Sequence, residues 1–373
     1  MKTFVALLVL LPTLTFAQTT GELLVRDPGT PSRIVIDNAQ WSTFLEGGVF
    51  ATHVSESGPK NPRSDTFSTN WVSAGAVRSF GDNAALVLRV RGSLEPLTIK
   101  EKGYPQLLQY VSPTSGGPLF DSMRAHDLIG EASADFGIRT GGAVAHIFLA
   151  PVGEPPLGPE PFERRESSAD FAEAPYAYDI AESYRHATRL VGLGITSRAF
   201  RIDGGVYHDA VTTGRHSTVK DGDFNAWSVR AIVAPAPSLS LQVSYGDNTE
   251  REEKITSASA SWTTKSVAVT AGWTRRAFFL TSSTALGIEG NLRLGRSTLM
   301  ARVERADRPV IVDPVDRSHV TLGYIFDLIA RDGWRAGLGA NVDYHTKAHD
   351  LPAGYGHKPQ GIYVFARVRT TTR

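Results

Sequence analysis

The feature that most limits this chain is an alternation of polarity with period two, repeated in short segments along most of its length. In 285–294, Leu286, Ile288, Leu292 and Leu294 share one face, while Glu289, Asn291 and Arg293 share the other. In 334–345, Trp334, Ala336, Leu338, Ala340, Val342 and Tyr344 oppose Arg335, Asn341, Asp343 and His345. In 362–369, Ile362, Val364, Ala366 and Val368 oppose Arg367 and Arg369, and in 239–245 Leu239, Leu241, Val243 and Tyr245 oppose Ser240, Gln242 and Ser244. Successive strand side chains point to opposite faces, so each segment is a strand with one apolar and one polar face. The polar faces carry ionised pairs such as Arg89 with Arg91, Arg201 with Asp203, and Arg302 with Glu304. Burying so many charges in a dry core would cost several kcal/mol each after relaxation. A water-filled interior with lipid outside removes that cost.

Sixteen such segments can be counted: 44–54, 67–80, 84–94, 128–139, 143–150, 184–197, 200–211, 225–234, 238–248, 253–264, 267–276, 283–295, 298–307, 318–329, 334–345 and 361–369. Their connections alternate in length. Short turns such as Gly81-Asp82-Asn83, Thr140-Gly141-Gly142 and Pro235-Ala236-Pro237 follow every second segment, and mostly longer loops follow the others, 95–127 and 151–183 being the longest. Long loops on one rim, short turns on the other and an even count describe an all-β, transmembrane, antiparallel up-and-down β-barrel. Sixteen strands is the expectation, with fourteen or eighteen open because single boundaries shift easily. Trp41, Trp227, Trp262, Trp273 and Trp334 fall near strand ends, where interfacial girdles form.

Residues 1–17 have the order of a secretory leader: Lys2, the apolar run Phe4–Leu11, then Thr15-Phe16-Ala17 as a cleavage site. Residues 18–40, broken by Pro28, Gly29 and Pro31, are expected to be a periplasmic lead-in to a barrel occupying 41–373. No stretch beyond the leader approaches the ~20 apolar residues of a membrane-spanning helix. There is no cysteine, which excludes a disulfide network, a thiolate metal site and a cysteine nucleophile. The net charge of +1 gives no field to attract nucleic acid. Arginine outnumbers lysine, 30 to 9, and arginine tolerates partial desolvation, so it suits the wall of a narrow aqueous channel.

The two long loops hold the least generic sequence. The first contains GYPQLLQYV at 103–111, then Pro118-Leu119-Phe120-Asp121 and Arg124-Ala125-His126-Asp127-Leu128. The second begins GEPPLGPEPFERRESS at 153–168, passes Ala174-Pro175 and returns at Glu182-Ser183-Tyr184-Arg185-His186; a Gly-Arg step at 214–215 and LQVSYG at 241–246 follow. In this order the segments resemble an uncharacterised family of bacterial outer-membrane β-barrel proteins over about residues 100–250, most specifically through Gly-Glu-Pro-x-Leu-Gly-Pro at 153–159. The resemblance implies location and fold, not activity. The family pattern has His-Pro-His-Asp where this chain reads Arg124-Ala125-His126-Asp127, a paired histidine where it reads Tyr178-Asp179, and Asp-Ser-Thr-His where it reads Glu182-Ser183-Tyr184-Arg185. His126 is kept and His186 sits one place late, so a histidine-built metal site would be depleted.

Two readings of His126, Asp127, Glu182 and His186 stay open. They are the ligand types of a divalent transition metal, or they make hydrogen bonds that fold the loops over the pore. Pro151, Pro155, Pro156, Pro159 and Pro161 stop the preceding strand and stiffen the second loop, which then either folds inward as a constriction or stands out as a stalk. No Gly-x-Ser-x-Gly, His-Glu-x-x-His, phosphate-loop or dinucleotide-binding motif occurs, and no enzyme is expected.

The expected function is porin-like passive diffusion of small polar solutes, with no cofactor. The alternative is a plugged barrel that binds at the surface or serves structurally, linked to a transition metal. Expected lumen residues are Arg89, Arg91, Arg201, Asp203, Arg230, Glu289, Arg293, Arg302, Glu304, Arg335, Asp343 and Arg367. Their arginine bias implies at most a mild anion preference. Expected partners are outer-membrane lipid, lipopolysaccharide, the barrel assembly machinery and the solutes themselves.

Overall fold

The computed structural model describes residues 19–30, 41–57, 63–99, 103–106, 122–123, 126–182, 186–209, 221–279, 281–308, 315–331, 333–345 and 360–371. The expected leader, Arg124-Ala125, Tyr184-Arg185 and the Gly214-Arg215 step lie outside them. The chain opens with helix α1 (Thr20–Val25) and strands β1 (Trp41–Glu56), β2 (Arg63–Phe67), β3 (Asn70–Phe80) and β4 (Ala84–Gly92). A short helix α2 (Glu95–Thr98) and a two-residue ladder, β5 (Tyr104–Pro105) with β6 (Ser122–Met123), occupy the first long connection. Next come β7 (Ile129–Thr140) and β8 (Ala143–Gly153), then α3 (Tyr178–Ala181) within the second long connection. β9 (Ala187–Thr196), β10 (Phe200–Asp209), β11 (Ala226–Ala236), β12 (Leu239–Asn248) and β13 (Glu253–Thr263) follow. The last six are β14 (Val267–Phe278), β15 (Thr281–Leu294), β16 (Ser297–Arg308), β17 (Val315–Arg331), β18 (Trp334–His345) and β19 (Gln360–Thr370).

Every strand except β5 and β6 joins one antiparallel sheet, and β19 pairs with β1 to close it. Both β2 and β3 pair with β1, so they form one stave interrupted at Ser68-Thr69, and the barrel has sixteen staves. Each expected segment overlaps one stave, with ends displaced by a few residues. The interruption has a use: the Thr69 hydroxyl donates to the carbonyl of Ala172, 3.1 Å away, in the second long loop. The short turns gather on one rim. Gly81, Gly141, Gly295 and Gly333 there have φ of +63°, +61°, +63° and +81°, and a Cβ at the first three would meet nothing. Backbone conformation, not space, requires glycine at these turns. The opposite rim carries the long loops and also the tight connection 249–252 between β12 and β13.

The polarity of the barrel is inverted relative to a protein dissolved in water. Val243 is 58% exposed and Leu322 53%, while Gln242 and Thr321 beside them are buried. Large apolar side chains point outward from almost every stave. An apolar surface of that extent is stable against hydrocarbon, not water. Among the described residues no helix is long and apolar enough to cross a membrane, so strands alone supply the spans. The five tryptophans singled out above all point outward, Trp41, Trp262 and Trp334 on the short-turn rim, as an interfacial girdle requires.

Among the described residues, Tyr104–Gln106 of the first long connection pack against the inward-facing Tyr363, and two longer segments enter the lumen. One is the second long loop. The other is the N-terminal stretch 19–30, expected to lead in from outside: the buried Leu23 and Leu24 pack on Phe44, Val77, Ala85, Val87 and Val144 of the inner wall. A capping box closes the start of α1, with Glu22 N donating to Thr19 Oγ1 (3.1 Å) and Thr19 N to Glu22 Oε2 (3.0 Å).

Candidate functional site

The candidate site is the lumen where the loop between β8 and β9 crosses it. Pro155 and Pro156 end β8, and the chain turns inward, Leu157 N–H donating to Pro155 O at 2.7 Å. Leu157 is buried beside Ile255, and Gly158, at φ +73°, donates its N–H to Ser244 Oγ at 2.8 Å. The Gly-Glu-Pro-x-Leu-Gly-Pro run is thus the anchor that sends the loop across the barrel. Of the two forms open from sequence, stalk or constriction, the chain adopts the inward one.

Beyond the anchor the loop makes one ionic contact after another with the far wall. Arg165 lies between Glu289 of β15 (2.6 Å) and Glu182 of the loop's return (3.0 Å). Ser167 Oγ donates to Thr270 Oγ1 at 2.8 Å. Glu166 and Asp170 hold Arg369 at 3.2 and 2.6 Å, and Asp170 also pairs with Arg367, which in turn pairs with Asp327. The guanidinium of Arg302 stacks 4.0 Å from the ring centre of Phe171. Tyr176 and Ala177 donate backbone N–H groups to Glu304 at 2.9 and 3.0 Å. Burial works to raise the Asp170 pKa, but Arg367, Arg369 and Arg293 outweigh it and hold the carboxyl well below its ordinary range. Burial, and then the neighbouring Asp343 carboxylate, push the Glu173 carboxyl up from its ordinary range.

The twelve expected lumen residues all point inward, but they divide into two sets. Arg89, Arg201, Asp203 and Arg230 line a cavity of about 260 Å³ between the loop and the N-terminal segment. Arg91 pairs with Glu131 (3.4 Å) and Glu154. Glu289, Arg293, Arg302, Glu304, Arg335, Asp343 and Arg367 lie around the loop's far attachment. Arg302 and Arg367 are each only 1% exposed, beneath the loop. The lumen is therefore no arginine-walled tube. Its guanidiniums are matched by carboxylates, many of them on the loop. One face of the cavity carries no charge: Ser240, Gln242, Ser259, Ser261, Thr263 and Thr270 form a wall of hydroxyl and amide groups.

Several members were not singled out from sequence. Asp327 and Asp135 follow the inward parity of β17 and β7. Asp27 lies 3.7 Å from Arg201 and 3.5 Å from Arg230, on a segment expected elsewhere. His319 stands between Glu304 (3.5 Å) and Asp343 (3.4 Å), its ring centre 4.7 Å from that of His345.

The four metal candidates do not converge. His126 Nδ1 lies 2.7 Å from Glu95, His186 Nδ1 lies 3.2 Å from Asp127, and Glu182 is held by Arg165 and the N–H of Phe162. Among the described residues no group of three or more histidines and carboxylates is arranged to hold a metal ion. The reason is electrostatic: each candidate already has a private partner. Burial alone would lower the His126 pKa, but the Glu95 carboxylate outweighs it and raises it to about 9. The protonated contact therefore stabilises the loop fully below about pH 6.5, and that stabilisation is lost as pH rises through about 9. A ring-proton titration by NMR in micelles is expected to place His126 near 9, and Glu95→Gln to move it back toward 6.5; an unchanged titration in the variant contradicts the pairing.

No family model and no curated protein sequence matches the chain. Solved structures do. A loop-deleted OmpT, an outer membrane protein of Vibrio cholerae, superposes with a TM-score of 0.54 at 10% identity, covering 89% of this chain and 100% of that one. An anion-selective porin from Comamonas acidovorans gives 0.52 at 12% identity, with 89% and 100% covered. OmpF of Salmonella typhi, in complex with daunomycin, gives 0.54 at 9% identity, with 89% and 99% covered. At such identities the likeness establishes the fold: a closed sixteen-strand antiparallel barrel shared with outer-membrane porins.

Proposed function

We propose that this chain is an outer-membrane channel for passive diffusion of small polar solutes, narrowed by its inward loop, with the start of β1 and the end of β19 on the periplasmic side. The observation that carries the reading is the polar cavity of about 260 Å³ inside a barrel whose outer face is apolar. A closed barrel needs no such space for stability, and a polar chamber between two rims is what a hydrated solute path requires. The porin neighbours support the same reading. β1 begins and β19 ends on the short-turn rim, which is periplasmic in outer-membrane barrels.

Selectivity follows from the lining. Six arginines and eight carboxylates border the cavity. This replaces the anion preference implied by arginine content with weak selectivity leaning toward cations. Refolded protein in a planar bilayer under a salt gradient is expected to show small unit conductance and a reversal potential slightly on the cation side. A strong anion potential contradicts the lining argument, and complete silence contradicts the channel.

A further inference from the structure

The inner wall of a water-filled barrel has no reason to carry an apolar patch, yet this one does. Val77, Ala85, Val87 and Val144 point inward near the short-turn rim, and what covers them is Leu23 and Leu24 of α1. Gly137 completes the fit, since a Cβ there would come within 2.8 Å of Leu24 Cδ2. The segment then follows the wall through polar contacts. Thr20 Oγ1 donates to Asp82 O (2.7 Å), Arg201 donates to Leu24 O (3.2 Å), and Asp27 faces Arg201 and Arg230. It ends at Gly29, whose φ of +75° and missing Cβ let its backbone lie against Leu239. The contacts thus run from the β3–β4 turn to the β11–β12 turn, half the circumference of the short-turn mouth.

We infer that residues 19–30 are a built-in plug, and that the apolar patch with the Arg201–Arg230 pair is a docking site for an acidic, leucine-bearing peptide, filled by the chain's own N-terminal segment. This rests on the channel reading for its consequence, but not for its geometry. Three observations separate the plug from the wall. Six residues are too few to hold a helix without a partner, so α1 exists as a helix only when docked. The barrel closes through β1 and β19 with no contribution from the segment. Its anchoring is two leucines, a few hydrogen bonds and the Asp27 ion pairs, against a continuous hydrogen-bonded sheet, so it can leave while the barrel stays whole. Asp27 adds a carboxylate to the two-arginine pair that already holds Asp203, placing one more negative charge in the mouth.

The test uses the full chain, a Leu23→Asp/Leu24→Asp variant, and a deletion of residues 19–30. Each is also made with Val144→Cys, which the absence of native cysteine makes a unique label site. With the plug docked, a membrane-impermeant maleimide is expected to leave Val144→Cys unlabelled; in the double variant and the deletion it reacts. Unit conductance is expected to rise severalfold in both, and a synthetic peptide of residues 19–30 is expected to return the deletion to the low state, whereas the peptide with both leucines changed to Asp does not. Equal labelling in all three proteins overturns the plug. Labelling that differs while every protein stays silent in the bilayer upholds docking and overturns the channel reading instead. Differing labelling with identical conductance overturns the plug as a barrier to flow.

Discussion

Asp170→Ala is expected to detach the inward loop and raise unit conductance severalfold. Asp170 is the carboxylate that Arg367 and Arg369 share, in a place where Arg367 is 1% exposed. Its removal leaves guanidinium charge buried under the loop with Asp327 and Glu166 as the remaining partners. Breaking one partner out of a buried ionic set costs about 3–5 kcal/mol, because the charge left behind has lost both water and its counter-ion. The loop can recover that cost by moving aside and letting water reach the arginines, whereas the wall cannot move. The damage therefore appears as a wider lumen before it appears as an unfolded barrel. Asp170→Asn, which keeps the shape and one acceptor, is expected to fall between the two. Single-channel recording checks the first effect and the urea midpoint in lipid vesicles the second. Wild-type conductance in a folded Asp170→Ala protein contradicts the loop's role as the constriction.

Why that network was hidden from the sequence is clear from its members. Strand parity is local, so the inward positions of Arg367, Glu289 and Asp343 could be read from their neighbours two residues away. Partnership is not local: Arg367 meets Asp170 across 197 residues, and Arg165 meets Glu289 across 124. No spacing rule connects them, so the arginines looked like a free positive wall. Parity itself fails where bulges shift the register. A bulge between Asp327 and Ile329 leaves Leu328 and Ile329 both exposed, which strict alternation forbids. The packing of residues 19–30 on the inner wall was not legible, because Pro28 and Gly29 break the local pattern. Thr19 and Glu22, spaced as a capping box, were the signal available for a helix there. The metal candidates share loops but not a centre, since His126 and His186 each face a carboxylate of their own.

Leu322→Arg is expected to destabilise the barrel by about 2–4 kcal/mol in lipid vesicles, the cost of an arginine at the hydrocarbon midplane. Leu322 lies near the middle of β17 and is 53% exposed on the outer face. Its side chain would need to snorkel past a full apolar row on either side to reach an interface. Ser261→Arg makes the same change on the opposite face, at the cavity's uncharged wall, and is expected to shift stability by less than about 1 kcal/mol. It is also expected to move the reversal potential toward anions. The pair separates the two faces, because both substitutions add the same side chain to one sheet, facing outward from β17 and inward from β13. Equal destabilisation at the two positions contradicts the inverted polarity of the barrel.

Single-channel recording of the refolded, full-length protein bears most directly on the whole account. Small, weakly selective unit steps are expected from the wild type, with larger steps after Asp170→Ala. Folded protein that inserts, yet stays silent in both forms, would contradict an aqueous path through this barrel.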